Sequence, residues 1–234
     1  MKALLATVAA TALMLGAAHA ASFTVNFGAG STSTNDPATG ASGTVLFDFM
    51  DTADGVLVKL TVTNTTDTTD FGAGADEGTL TGLLLDLADG VSYVDGSAMV
   101  GTYLDTFETG ESLAPFGTFD LYFGNDGNPE GGNANDALPE GEMDMVSFLL
   151  SGIDDADAAY DAYLAAFLSG DARAALRFQQ VNAGEGSDKL LNGMVVGVDI
   201  ITDDLNPVPV PGAALLMGSA LAAGAAARRR RRAA

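Results

Sequence analysis

The chain has 234 residues, with 31 acidic side chains against ten lysines and arginines, one histidine and no cysteine. The missing cysteine removes disulfides and thiol chemistry. The formal charge of −21 repels nucleic acid and anionic lipid, so both are excluded as partners.

The charge is unevenly placed. Every Asp and Glu lies between residues 21 and 206, where only Lys59, Arg173, Arg177 and Lys189 are basic, so this stretch carries a formal −27. At the N-terminus, Met1-Lys2 is a short positive start, Ala3 to Gly16 is apolar, and Ala18-His19-Ala20 is a small-x-small site. That is the form of a secretory signal peptide, here a signal helix over 1–20 with cleavage after Ala20. The histidine leaves with it.

Phe23, Val25 and Phe27 alternate with polar residues and predict a first strand; 28–42 is a Gly/Ser/Thr/Asn loop. Val45, Phe47 and Phe49 predict a second strand, Ala53-Asp54-Gly55 a turn, and Val56, Val58, Leu60 and Val62 a third, together a hairpin. Residues 64–78 are polar, Gly-rich and acidic. The continuous apolar run Leu80 to Ala88 predicts a strand buried on both faces. A short strand is expected within 91–100, irregular chain over 105–117, and a strand around Phe119, Leu121 and Phe123.

After the Asn/Asp/Gly-rich loop 124–142, Met143 to Ser151 alternates again. The period then changes: Ala158, Tyr160, Leu164, Phe167 and Leu168 predict a helix from Asp154, with its acids at the N-terminal end and Gly170 after its last turn. Ala174, Leu176 and Phe178 predict another strand, and Gly193 to Ile201 the last. Many short strands with Gly-rich punctuation and one helix predict a mainly β domain over 21–206. The form expected is a jelly-roll-like antiparallel β-sandwich, with an up-and-down barrel as the alternative.

The last segment has a fixed order: Pro207-Val208-Pro209-Val210-Pro211-Gly212, an Ala/Leu/Gly run to Ala227, then Arg228, Arg229, Arg230, Arg231 and Arg232. The run is about one bilayer core long if helical. Five arginines hold the end on the cytoplasmic side, which places everything before the prolines outside. This tail over 207–232 resembles the PEP-CTERM class of bacterial sorting signals, in the Val-Pro-x-Pro-Ala variant. Val208, Pro209, Val210 and Pro211 fit it, and Gly212 stands for the usual Ala. The resemblance implies transient inner-membrane insertion through a transmembrane helix, processing by an exosortase-type membrane protease near the prolines, and transfer to the cell surface or release. Looser similarity to exported proteins with such tails lies in the Leu80 to Gly90 run, in Leu138-Pro139-Glu140-Gly141-Glu142, and in Arg177-Phe178-Gln179-Gln180-Val181 leading into Gly184-Glu185-Gly186-Ser187-Asp188-Lys189-Leu190. It implies a sandwich and no activity.

Without histidine, the delivered domain cannot use a Ser-His-Asp triad or a His/Cys zinc site. Two carboxylates could still serve a glycosidase, but tryptophan, which commonly lines sugar clefts, is absent. The best candidate ligand set is Asp126, Asn128, Glu130 and Asp136, oxygen donors among glycines that suit calcium, although Pro129 breaks the EF-hand spacing. Asp67, Asp70, Asp76 and Glu77 form a weaker acidic loop. Arg173 and Arg177 could grip an acidic sugar, and Tyr160, Tyr163 and Phe167 could stack on one; ion pairing and core packing are the plainer expectations.

The sequence therefore predicts a non-enzymatic structural or binding protein of the cell surface or of an exopolysaccharide or biofilm matrix. The alternatives are a carbohydrate-active enzyme, a calcium-dependent glycan-binding module, and a permanently anchored envelope protein.

Overall fold

A computed structural model of the protein describes residues 20–196 apart from 69, 132 and 185. The expected signal helix with Ala18, the sorting motif, the transmembrane helix, the arginine cluster and the 197–201 end of the last strand lie outside the described residues.

Fourteen strands and one α-helix are described: β1 (Ala20–Phe27), β2 (Thr32–Ser33), β3 (Gly43–Thr52), β4 (Gly55–Asn64), β5 (Thr79–Leu85), β6 (Ser92–Tyr93), β7 (Thr106–Thr109), β8 (Ser112–Leu113), β9 (Gly117–Thr118), β10 (Leu121–Gly124), β11 (Met143–Ser151), α1 (Ala156–Ser169), β12 (Ala174–Gln179), β13 (Ser187–Leu191) and β14 (Met194–Val196). They form two six-stranded antiparallel sheets, in the orders β14-β1-β3-β4-β11-β6 and β2-β13-β12-β5-β10-β7, and a separate β8-β9 hairpin. The architecture is the expected mainly β, antiparallel one. From β4 to β7 the chain changes sheet at each of these strands, the alternation expected of a jelly-roll-like wrap, whereas the β3-β4 and β12-β13 hairpins keep to one sheet.

The first sheet follows directly from period-two patterning. Phe23, Val25, Phe47, Phe49, Val58, Leu60, Val146 and Phe148 point inward and are buried, while their neighbours stay partly exposed. The two inner faces meet across Phe123 of β10 and Phe148 of β11, with ring centroids 6.1 Å apart, and across Phe107 and Tyr93 at 5.1 Å. Beneath β1 and β3, α1 completes the core. Phe167 meets Phe47 edge-on at 5.3 Å, and Tyr160 and Tyr163 pack on Phe23 and Phe49. These aromatics are core, as the plainer expectation held. Asp155 caps the helix by accepting from the Ala158 N–H, Asp51 of β3 accepts from the Ala156 N–H at 2.7 Å, and Gly170 ends it at φ +82°.

Asn192-Gly193 is a corner between sheets, since β13 and β14 belong to different ones. A side chain at position 193 would collide with the Asn26 carbonyl, which restricts the corner to glycine.

The central strands of the second sheet, β12, β5 and β10, are buried on both faces. Inward from β12 point Ala174, Leu176 and Phe178, yet outward Ala175 and Arg177 are buried too. That outer face is what the site covers.

Candidate functional site

Cross-strand register lays two rows along the outer face of the second sheet. One row is Leu191, Ala175, Leu84 and Tyr122; the next is Lys189, Arg177, Gly82 and Gly124. The apolar row receives Leu113 and Phe119 from the β8-β9 region, and these buried side chains form a second small core. In the polar row the two glycines leave room for the Tyr122 ring, whose hydroxyl donates to the Asp126 carbonyl at 2.8 Å. Burial, then the Asp126 charge, raise the Tyr122 phenol well above its usual value.

Two flaps, 112–118 and 125–131, lie over these rows, and three cations hold them down. Arg173 makes a two-pronged contact with Asp86, donating from Nε to Oδ2 at 2.7 Å and from Nη2 to Oδ1 at 3.3 Å. It also donates to the Phe116 carbonyl at 2.6 Å and the Thr118 carbonyl at 2.7 Å, and its guanidinium sits 4.5 Å from the Phe119 ring centre. Arg177 Nη1 donates to the carbonyls of Pro129 and Gly131 at 2.5 and 2.6 Å, and Gln179 donates to Gly131 as well. Lys189 Nζ reaches both flaps, the Ala114 carbonyl at 2.7 Å and Glu130 at 2.5 Å.

Lys189 and Arg177 stand directly opposite each other on neighbouring strands, an unfavourable pairing of like charges. Glu130 and the flap carbonyls offset it. Burial alone would raise the Glu130 carboxyl, but the bond from Lys189, the Ala114 N–H and the nearby charges prevail and hold it below the usual range. Burial pulls Arg177 down from its ordinary value, opposed by Glu130 and Tyr122. An arginine remains charged at neutral pH under such a shift.

The four candidate calcium ligands all lie on or beside the second flap, and most of their oxygens are engaged. Glu130 belongs to Lys189 and Ala114, Asn128 Oδ1 accepts from the Glu130 N–H at 2.9 Å, and Asp136 Oδ2 accepts from Asn133 at 2.6 Å. At Asp126 the backbone carbonyl is the part engaged, by Tyr122. Among the described residues no three His, Cys, Asp or Glu side chains converge as a metal site would require. In the weaker acidic loop, Asp76 is tied to Asn182.

Compared with known proteins, the chain matches no protein family, no curated protein and no solved structure.

Two buried carboxylates escape a reading by composition. Asp188 accepts from the Ser33 hydroxyl at 2.7 Å and, at 3.0 and 2.8 Å, from the Thr39 N–H and hydroxyl. It thereby pins the 33–39 loop to β13. Asp144 accepts from the N–H groups of Thr102, Tyr103 and Leu104 at 2.8–2.9 Å and fixes that turn beside β11. A signal for Asp144 is in the sequence: it occupies the inward phase of the clearly alternating β11, where only a fully bonded carboxylate is tolerated, whereas β13 is too short and too polar to give one for Asp188. Chemically, the whole arrangement holds loops closed over a sheet.

Proposed function

We propose that this is an exported bacterial protein, inserted transiently in the inner membrane and delivered to the cell surface or matrix after processing at its C-terminal sorting signal. There its β domain acts as a structural or binding component beside exopolysaccharide, without catalysis of its own. The observation that carries the reading is the order of proline motif, apolar run and arginine cluster over 207–232. The signal-peptide pattern before Ala21 agrees with it, as does the way the domain spends Arg173, Arg177 and Lys189 on its own carbonyls and acids.

The Ala20–Ala21 bond lies at the start of β1, paired with Met50 and Phe49 of β3. A protease needs an extended, unpaired chain, so cleavage there precedes folding of the domain. Intact-mass analysis of the surface or released protein tests the proposal. The expected form begins at Ala21 and lacks Arg228 to Arg232. Retention of the arginines in that form would overturn processing in favour of permanent anchoring.

A further inference from the structure

The two outer faces of the sandwich differ. The second sheet is covered by flaps, whereas the outward side chains of β14, β1, β3, β4 and β11 are at least partly exposed. Along this face the register forms level rows, for example Val196, Thr24, Leu46, Thr61 and Met145. Methionines stand at its two margins, with Met143, Met145 and Met99 exposed by 61, 57 and 68 % on one side and Met194 by 60 % on the other. Among the described outward strand positions, Asp48 and Lys59 are the only charged ones, paired at 3.2 Å across β3 and β4 near the centre. A neutral, methionine-edged face on a domain with a formal −27 is an outlier in the molecule's own surface.

We infer that this face is a self-association surface, on which a second copy of the chain packs face to face about a two-fold axis. Charge selects the partner. Among the described residues the acids lie mostly off this face, so two copies can approach through it without bringing unpaired acids together. The central Asp48–Lys59 pair is self-complementary, since a two-fold axis beside it sets Lys59 of each copy against Asp48 of the other. Size is sufficient: five strands about 4.8 Å apart and about 25 Å long span roughly 600 Å². That lies near the lower bound of specific interfaces, about 600–800 Å² per partner. A glycan fits less well, because no aromatic side chain stands among these outward positions to stack on a sugar. Acids at the rim, Asp54 at the β3-β4 turn and Glu142 at the other end, oppose association, so the contact strengthens as salt screens them.

The absence of native cysteine permits a direct test on the whole chain. Thr61→Cys places a thiol mid-face and Ser112→Cys places one on the β8 flap. A bifunctional maleimide about 10 Å long, matched to the spacing of packed sheets, is added to cells or extract. The expected result is a species of double mass from Thr61→Cys and little from Ser112→Cys. Sedimentation of the cysteine-free protein should give dimers whose fraction rises severalfold between low and high sodium chloride. Thr61→Glu should abolish them while the thermal melt stays cooperative. A parent protein monomeric at about 100 µM in high salt would overturn the inference, as would equal crosslinking from both thiols. Shielding of the Thr61→Cys thiol by added polysaccharide, with the protein still monomeric, would also overturn it and give the face to a glycan. None of these outcomes depends on processing of the tail.

Discussion

Asp188 shows how one side chain can set the fate of a distant loop. Its carboxylate gathers donors from Ser33, Thr34, Thr39 and the Lys189 backbone, and is itself almost wholly buried. Removing it would strand the buried Thr39 N–H and hydroxyl without this acceptor, each a loss of about 1–3 kcal/mol. The nearby Gly72 backbone, with φ +59°, runs so close to Ala38 that the 71–75 loop would loosen with it. Asp188→Ala is therefore expected to lower stability by about 3 kcal/mol in denaturant titration, and Asp188→Asn by roughly half as much. An Asp188→Ala loss within about 0.5 kcal/mol of zero, the range of ordinary surface substitutions, would show that the loop is held by other means.

Among the elements, those built on alternation were legible. The β3-β4 hairpin, doubly buried β5, β11 and α1 all stand where the periodicity of Val56 to Val62, Leu80 to Ala88, Met143 to Ser151 and Ala158 to Leu168 places them. β13 was not, because Ser187-Asp188-Lys189-Leu190-Leu191 puts an acid at an inward position and hides the pattern. β7 and β8 fell in a stretch expected to be irregular, as two- and four-residue strands carry too few alternations to register. Least legible was the covered face. Outward Arg177 reads as an ion-paired or sugar-gripping residue, whereas it donates to carbonyls of a flap about 46 residues away in sequence that buries it. The flaps should also report pH locally. Glu130 is held below the usual carboxylate range, so its contribution is complete above the unfolded value of about 4.3 and is lost as pH falls through the lower folded value. Hydrogen exchange of 112–118 and 125–131 should therefore rise relative to β4 as pH drops below about 4, after correction for intrinsic rates. Lys189→Met should raise it at neutral pH by about fivefold, equivalent to about 1 kcal/mol for a partly exposed charged contact. Unchanged flap exchange in that variant would remove Lys189 from the latch.

At the scale of the molecule, most of the formal −27 over 21–206 falls within the two-sheet domain. Self-repulsion of that size opposes compaction at low ionic strength, and added salt should relieve it. Two mechanisms would give different salt responses. A calcium ion bound only by the folded domain adds stability by mass action, about 2.7 kcal/mol at a hundred times Kd, and does so specifically. Diffuse screening distinguishes valence but hardly distinguishes calcium from magnesium. The flap geometry favours the second mechanism, because Lys189 already stands at Glu130, and Asn133 at Asp136, where a metal would need those oxygens. Melts at equal ionic strength are therefore expected to rise from low salt in sodium, calcium and magnesium alike, with calcium and magnesium within about 1 °C of each other, well under the shift a 1 kcal/mol calcium site would give. A calcium excess over magnesium that disappears in Asp126→Ala/Asp136→Ala would reverse this and make the second flap a calcium site, one that must first displace Lys189 from Glu130.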